Sequence, residues 1–467
     1  MSSEVLHGQT YAPAAAPASA VTAAGIASRI ERLPICAWHV KVRLVIGVAT
    51  FFDAFDALTI AQVLPVLAPM WKLTGAQIGF LISVGYLGQL LGALFFGWLA
   101  ERIGRVRAIA LCVATFGLMS IACAFSWNYE SLLVFRTIQG FGLGGEVPIA
   151  AVYISEITRA KGRGRFVLLY ELIFSVGVVA AGVLGYWLVP SLGWQAMFVL
   201  GAAPLVLIWI LLRHVPESPR WLASHGRLAE ADQTLAGIEE ATRAATGQPL
   251  PQPAPTTNAA PSIAPSWRDL FGPNYLRRTI VVWFIWFGSY IVYYGIGTWL
   301  PTLYRTVFHL PLEQSLRYGL ISNAIGFVGA TLCALTIDHV GRRAWFALAL
   351  AGSSVFLGIL WINGATTPQD VLIYGSGAYF FATSAAIGVY LYTPELYPTR
   401  VRAIGVSTAT AWLRLASMAG PTVVGTMIGY GLGSVFLTFG VVALFAAVVV
   451  ALFAIETKGR VLEEVSP

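Results

Sequence analysis

The segment Val42–Leu67 reads VRLVIGVATFFDAFDALTIAQVLPVL and is apolar over most of its length. Since about 20 apolar residues suffice for a helix to cross a bilayer, this segment is predicted to span a membrane. Two carboxylates, Asp53 and Asp56, interrupt it about 16 and 21 Å from its start, near the middle of the bilayer. A carboxylate at that depth costs about 2.5–3.5 kcal/mol. Because the two residues are three apart and share a helix face, we expect that face to look into a helix bundle or a water-filled path.

The composition of the whole chain agrees with this interpretation. The chain has 467 residues, of which 57% are hydrophobic and 11% are charged, whereas about 25% of the residues in a soluble domain are charged. We therefore predict a polytopic membrane protein. The net charge of +7 is interpreted as basic cytoplasmic loops and not as a nucleic-acid surface. The four cysteines show no metal or disulfide spacing and are interpreted as small buried residues.

Twelve segments of spanning length follow one another, in two groups of six. They are predicted at 42–67, 76–100, 107–126, 131–154, 166–189 and 195–213, and at 279–305, 317–337, 344–364, 371–395, 403–427 and 432–455. We therefore predict an all-α membrane protein with twelve transmembrane helices in two six-helix bundles. The predicted domains are a disordered N-terminal tail (1–41), a first bundle (42–213), a cytoplasmic linker with amphipathic helices (214–278), a second bundle (279–456) and a cytoplasmic C-terminal tail (457–467).

Charged residues in the loops give the orientation and reveal a repeat. Arginines and lysines concentrate in the even-numbered loops, which places those loops and both termini in the cytoplasm. Charged residues recur between the halves at offsets of 237 or 239: Glu101, Arg105, Glu156, Arg163 and Arg165 correspond to Asp338, Arg342, Glu395, Arg400 and Arg402. A duplicated six-helix unit is typical of transporters that hold a substrate between the repeats near the membrane midplane.

Several motifs carry a resemblance to the major facilitator superfamily. GWLAERIGRVR (97–107) and TIDHVGRR (336–343) resemble two copies of its signature loop, and PESPRWL (216–222), TPELYPTR (393–400) and ETKGR (456–460) are similar to motifs of its sugar-porter and organic-ion branches. FFDAFD (51–56), GFGLGGEVPIA (140–150), WFGSYIVYYGIGTWLP (286–301) and residues 392–421 resemble bacterial niacin transporters, which are related to the aromatic-acid:proton symporters. The aromatic-acid branch has Gly where this chain has Ala54.

One basic residue is the main candidate for binding an anionic substrate. Arg414 lies about 16 Å from the start of the eleventh span, again near the midplane. A guanidinium is permanently charged and pairs with a carboxylate through two hydrogen bonds. The resemblance to organic-anion carriers implies the same role. The alternative is that Arg414 is a structural partner of an acidic residue in the bundle, and the role of Arg136 in the fourth span is left open in the same way.

Aromatic residues form a stripe along the seventh span, ahead of Gly295 and Gly297, which are expected to unwind the helix. The stripe either stacks against a flat substrate ring or packs against neighbouring helices, and its members are Trp283, Trp286, Tyr290, Tyr293 and Tyr294. Further candidates for substrate contacts are Tyr86, Gln89, Asn323 and Tyr390.

Acidic residues inside the spans are the candidates for proton coupling, namely Asp53, Asp56, Glu146 and Glu171. The alternative for each is a buried structural pair. The loop residues of the repeat are predicted to form ion pairs that gate the cytoplasmic side, with membrane topology alone as the alternative. These are Glu101, Arg105, Glu156, Arg163 and Arg165 in the first half and Asp338, Arg342, Glu395, Arg400 and Arg402 in the second.

The sequence therefore predicts a proton-coupled importer of a small aromatic carboxylate, with nicotinate favoured, in the inner membrane of a bacterium. The expected partners are the substrate, protons and the lipid bilayer, with no nucleic acid, cofactor or metal and with a monomeric chain. No enzymatic activity is expected. The alternatives are a sugar or polyol porter and a nutrient-binding sensor that does not transport.

Overall fold

The computed structural model describes residues 21–159, 163–253 and 267–458. A short helix, α1 (Ala23–Glu31), precedes the first half. The first six spans are α2 (Ala37–Met70), α3 (Gly75–Ile103), α4 (Arg105–Ala124), α5 (Tyr129–Ile157), α6 (Arg163–Leu192) and, together, α7 (Gln195–Gly201) and α8 (Leu205–His214). The sixth span is divided near Pro204, which has no N–H to continue the helix.

The second half follows two linker helices, α9 (Pro219–Ser224) and α10 (Leu228–Thr246). A 3₁₀ turn (Trp267–Phe271) then leads into the seventh span. The remaining spans are α11 (Leu276–Thr306), α12 (Leu312–Val340), α13 (Arg342–Ile362), α14 (Pro368–Asp370) running through a π turn (Val371–Gly375) into α15 (Ser376–Glu395), α16 (Thr399–Met427) and α17 (Leu432–Phe453).

Among the described residues, ten helical segments are long and apolar enough to cross a membrane. The fourth and eleventh spans, α5 and α16, are each 29 residues long and pack among them. The predicted all-α membrane fold is therefore confirmed. Several spans, such as α2, α3 and α11, are longer than the apolar segments that predicted them, since polar and charged residues continue the helices beyond the apolar part.

Both halves pack their helices in the same pairs. In the first half α3 packs on α5, α2 on α6, and α4 on α7 and α8. In the second half the corresponding pairs are α12 with α15, α11 with α16, and α13 with α17. This agreement is what a duplicated six-helix unit requires.

Glycines allow the closest of these contacts. A Cβ added to Gly92 of α3 would lie 1.9 Å from the carbonyl oxygen of Phe141 on α5, and one added to Gly140 would lie 2.1 Å from that of Gly85. No side chain fits at these distances, so the two helices approach through their backbones, as the small-residue spacing in each helix indicates.

The segment that precedes the first span differs from the predicted disordered tail. Residues 1–20 lie outside the described residues, but α1 is helical and α2 already begins at Ala37. The apolar face of α1 carries Ile26 and Ile30, which pack against Leu235 and Ile238 of α10. The linker and the N-terminal segment therefore form one small apolar core beside the first half.

Ion pairs fix α1 on this core. Arg29 and Arg32 both donate to the carboxylate of Glu239, at 2.9 and 2.6 Å, and Arg29 also bonds to Asp232. Burial alone would raise the pKa of Glu239, but these hydrogen bonds outweigh burial and hold the pKa below its ordinary value. The carboxylate is therefore charged at neutral pH.

Candidate functional site

A cavity of about 330 Å³ lies between the two halves. The first half contributes α2, α3, α5 and α6, and the second half contributes α11, α12, α15 and α16. Its chemically informative lining residues are Asp53, Gln89, Ser175, Tyr290, Tyr293, Tyr294, Asn323, Tyr379, Thr383, Tyr390 and Arg414. The cavity therefore lies between the two repeats, which is where the sequence predicts a substrate site.

The cavity extends toward the end of the molecule that carries the basic loops. Ile337 and Asp338, at the end of α12, line it there. At the opposite end the halves touch: the Ser83 hydroxyl of α3 lies 2.7 Å from the Met418 carbonyl and 2.7 Å from the Thr422 hydroxyl of α16. The cavity is therefore closed by helix contacts on one side and reaches the loops on the other.

Arg414 lies in the cavity wall, as predicted. Its guanidinium donates a hydrogen bond to the side-chain oxygen of Gln89. The two residues belong to different halves, so this bond crosses the interface between α3 and α16. Among the described residues no carboxylate forms an ion pair with Arg414.

Part of the predicted aromatic stripe faces the cavity. Tyr290, Tyr293 and Tyr294 line it. Their rings contact one another at centroid distances of 4.8–5.9 Å. Trp286 is fully buried behind them, donates its indole N–H to the Thr393 hydroxyl and stacks on Tyr290. Trp283 packs against Trp412, away from the cavity.

The expected unwinding after this stripe does not occur, since α11 continues through Thr306. The two glycines serve packing instead. A Cβ on Gly295 would lie 2.5 Å from the ring of Phe439, and one on Gly297 would lie 2.7 Å from the ring of Tyr379. Glycine at these positions lets rings from neighbouring helices approach the backbone.

Tyr379 is a cavity residue that sequence reasoning missed. Its ring lies parallel to that of Tyr293, with centroids 5.4 Å apart and an interplanar angle of 12°. Thr383, one turn further along α15, also lines the cavity. Their spacing of four residues places both on one helix face and was the available signal. Phe174 and Ser175 of α6 were missed as well.

The two aspartates of the first span have different surroundings. Asp53 lines the cavity and is 5% exposed. Asp56 is fully buried inside the first half and accepts hydrogen bonds of 3.0 Å from the Ser120 hydroxyl. Arg136 lies beside it and donates to its main-chain carbonyl and to Gln139. The expected shared face therefore looks partly into the cavity and partly into the bundle.

Of the other two acidic candidates, Glu146 is not among the described residues that line the cavity. Glu146 is fully buried and accepts a hydrogen bond of 3.1 Å from the Thr50 hydroxyl, which also bonds to Tyr170. The side chain of Glu171 lies outside what the structure describes. Of the remaining substrate candidates, Asn323 and Tyr390 line the cavity. Tyr86 is buried against the ring of Tyr294, and its hydroxyl has no hydrogen-bond partner among the described residues.

The predicted loop ion pairs connect helices within each half. Arg105 pairs with Glu101 and Glu156 at 3.0 Å each. Arg342 pairs in the same way with Asp338 at 2.7 Å and Glu395 at 3.0 Å. Arg402 donates to the Tyr397 carbonyl, and Glu395 bonds to Arg342 instead. The side chains of Arg163, Arg165 and Arg400 lie outside the described part of the chain.

Two glutamates that sequence reasoning did not single out complete these clusters. Glu217 accepts hydrogen bonds from the backbone N–H groups at the start of α4, and Glu456 does the same at the start of α13. Each helix start follows a glycine at positive φ, Gly104 or Gly341. The PESPR and ETKGR motifs are thus two copies of one helix cap. Burial raises the pKa of Glu217, whereas backbone donors outweigh burial and lower the pKa of Glu456.

Two repeated six-helix halves around a central cavity define a secondary transporter. The family described as sugar (and other) transporter matches residues 45–467, and the chain therefore belongs to this family of the major facilitator superfamily. The predicted superfamily is confirmed, and the chain is a transporter and not an enzyme.

Two individual relatives are similar to this chain in sequence, and one solved structure is similar in fold. The chain is 35% identical to the niacin transporter NiaP of Acinetobacter baylyi, over 94% of this chain and 99% of the relative. It is 30% identical to a gallate transporter of Pseudomonas putida, over 90% and 93% of the two chains. The structure resembles that of a D-xylose–proton symporter with a TM-score of 0.71 and 19% identity, over 91% of this chain and 100% of the other, which shows the shared fold.

Proposed function

We propose that the protein is a proton-coupled importer of a small aromatic carboxylate, and that nicotinate is its substrate. The observation that carries the proposal is Arg414, a permanent cation in the wall of a cavity lined mainly by apolar and aromatic side chains. A guanidinium in such surroundings favours an anion that can accept two parallel hydrogen bonds. The relatives that transport niacin and gallate carry cargoes of this chemistry.

The aromatic side chains suit the flat ring of such a substrate. Tyr293 and Tyr379 present parallel rings, and Tyr290 and Tyr294 extend the wall toward Tyr86. The cavity volume of about 330 Å³ lies at the lower end of the range for small-molecule sites, about 300–1,000 Å³. Asn323 supplies an amide in the same cavity that can hydrogen-bond to the pyridine nitrogen.

The first half supplies the carboxylates for proton coupling. Asp53 faces the cavity, and Asp56 lies behind it beside Arg136. A carboxylate in an intramembrane cavity marks a proton or ion pathway. In the proposed cycle a proton on Asp53 accompanies the substrate held by Arg414, while Glu146 and Glu171 remain candidates for a relay.

The observed conformation is open toward the cytoplasm if the basic loops face that side, as the distribution of arginines predicts. Rocking of the two halves would then expose the cavity to the outside after the α3–α16 contacts part. The loop ion pairs lie within each half, and we propose that they keep the helix ends of each half together during this movement. We place the protein, as a monomer, in the inner membrane of a bacterium with both termini inside.

The cavity does not favour a sugar or polyol substrate. The amide side chains among its described lining residues are Gln89 and Asn323, and the oxygen of Gln89 is already bonded to Arg414. The hydroxyl groups of a neutral polyol can form hydrogen bonds with the guanidinium but cannot neutralise its charge, and water forms the same hydrogen bonds.

The test is uptake of labelled nicotinate into proteoliposomes with an imposed pH gradient. Wild-type protein should accumulate nicotinate, and Arg414→Gln should lower the transport efficiency about 30-fold or more, since truncating one partner of a buried charge pair costs about 2–5 kcal/mol. Arg213→Gln, at an exposed end of α8, is the matched control and should transport normally. Uptake no greater than in empty vesicles would refute the proposal, and binding without flux would establish the sensor alternative.

A further inference from the structure

We infer that Gln89 is a positioning residue that holds Arg414 before the substrate binds, as a tethered competitor that every ligand of Arg414 must displace, so that carboxylates still bind with a net gain and neutral amides do not. This inference rests on the proposed function. Gln89 is 5% exposed and lines the cavity, and its side-chain oxygen accepts a hydrogen bond from the Arg414 guanidinium. Arg414 is therefore already bonded to one neutral amide oxygen.

The backbone at Gln89 is held firmly in place. A Cβ added to Gly144 of α5 would lie 2.0 Å from the carbonyl oxygen of Gln89, so α3 and α5 touch through their backbones at this point. The side chain of Gln89, and not its helix, must therefore move when another group binds Arg414. The glutamine acts as a tethered competitor at a fixed distance.

The competition favours a charged ligand. A hydrogen bond to a charged group contributes about 1.5–3 kcal/mol, compared with about 0.5–1.5 kcal/mol for a neutral pair. A substrate carboxylate therefore gains on displacing Gln89, and it gains a second bond when it binds through both oxygens. A carboxamide offers the same kind of oxygen that Gln89 already supplies, so its exchange brings no net gain. Because both ligands must displace Gln89, this residue lowers both affinities by the same factor, and only the carboxylate keeps a net gain.

The bond also connects the two halves. Gln89 belongs to the first half and Arg414 to the second, in the same α3–α16 interface that Ser83 and Thr422 close on the far side of the cavity. Displacement of Gln89 by the substrate removes one link across this interface. Carboxylate binding is thereby coupled to the contact that must part when the halves rock.

Two substitutions at this position have opposite consequences. Gln89→Leu leaves Arg414 without its amide partner, so nicotinate and nicotinamide should both bind about tenfold more tightly while the ratio of their affinities stays the same. Gln89→Glu supplies a tethered carboxylate, so the affinity for nicotinate, benzoate and gallate should fall about tenfold or more. Gln62→Leu, which removes another buried glutamine of the first half, is the control and should leave both affinities unchanged.

Binding is measured by calorimetry on detergent-purified full-length variants, with the three carboxylates and nicotinamide as probes. Unchanged or lowered affinities for nicotinate and nicotinamide in Gln89→Leu, or wild-type affinity for all three carboxylates in Gln89→Glu, would overturn the inference. A merely structural role would lower the affinities in Gln89→Leu instead of raising them.

A measurement without substrate separates this inference from the proposed function. Thermal unfolding of the empty protein should show that Gln89→Glu raises the midpoint only when Arg414 is present, and that the increase disappears in an Arg414→Gln background. Absence of this coupling would overturn the role of Gln89. Coupling together with wild-type protein that binds no nicotinate would instead refute the proposed substrate.

Discussion

Replacing Asp53 with asparagine should separate substrate movement from proton movement. Among the described lining residues of the cavity, the carboxylates are Asp53 and Asp338. Asp338 lies at the mouth and pairs with Arg342 at 2.7 Å, whereas Asp53 lies deep in the first span. Asparagine keeps the shape and polar atoms of aspartate but cannot bind the transported proton. The substitution therefore tests protonation and not packing.

The geometry sets the magnitude of the effect. With Asp53 proposed to carry one proton per substrate, a pH difference of one unit supplies about 1.4 kcal/mol, or a tenfold concentration ratio. With vesicles about 2 pH units more alkaline inside, wild-type protein should concentrate nicotinate up to about 100-fold. Asp53→Asn should reach equal concentrations and no more. Because the charges of the carboxylate and the proton cancel, a potassium diffusion potential should not change the wild-type plateau.

The assay compares two modes of transport in the same proteoliposomes. Accumulation driven by the pH gradient should be lost in Asp53→Asn, while exchange of labelled for unlabelled nicotinate should persist because it needs no net proton movement. Glu130→Gln, at an exposed position at the start of α5, is the control and should accumulate normally. Wild-type accumulation by Asp53→Asn would refute the role of this carboxylate, and a plateau that follows the membrane potential would refute the one-proton stoichiometry.

Three further predictions concern other parts of the molecule. Asp56→Ala should destabilise the protein by about 1–3 kcal/mol in thermal or denaturant unfolding, because the buried Ser120 hydroxyl loses the carboxyl oxygens that accept its hydrogen bonds; unfolding like that of the wild type would contradict this. Tyr379→Leu should weaken nicotinate binding about two- to tenfold, since an aromatic pair contributes about 0.5–1.5 kcal/mol beyond its area, while Trp283→Leu should not; equal effects would place the ring elsewhere. The lowered pKa of Glu239 means that docking of α1 is fully stabilised above the ordinary carboxyl pKa and is lost as the pH falls through the lower folded value. Limited proteolysis should therefore release α1 in acid, and in Glu239→Gln already at neutral pH; protection in both cases would contradict the ion-pair argument.

The fold followed from the sequence because each span is an apolar segment of fixed minimum length and the halves share charged loop residues. The N-terminal segment was misjudged for a physical reason. Its alanines and prolines suggested disorder, but Ile26, Ile30 and Leu33 recur at helical spacing and pack on the linker. A short amphipathic helix of this kind is stable only with its partner, which the local sequence does not reveal.

The candidate site was predicted less completely because periodicity gives a helix face and not its neighbours. Asp53 and Asp56 share a face, yet Ser120 and Arg136 on other helices draw Asp56 into the bundle. Trp283 and Trp286 continue the tyrosine stripe but lie beyond the edge of the cavity. Arg414 was predicted as a site residue because a charged side chain near the membrane midplane is energetically costly and usually has a functional role.

The groups proposed to bind the substrate and the carboxylate proposed to carry the proton come from different copies of the repeat. Arg414, Asn323 and the tyrosines that line the cavity belong to the second half, while Asp53 belongs to the first. Substitutions in the second half can therefore change which substrate is bound, while the first half continues to couple transport to the proton gradient. Among relatives that transport different substrates, the cavity-lining positions of the second half should therefore differ more often than those of the first half.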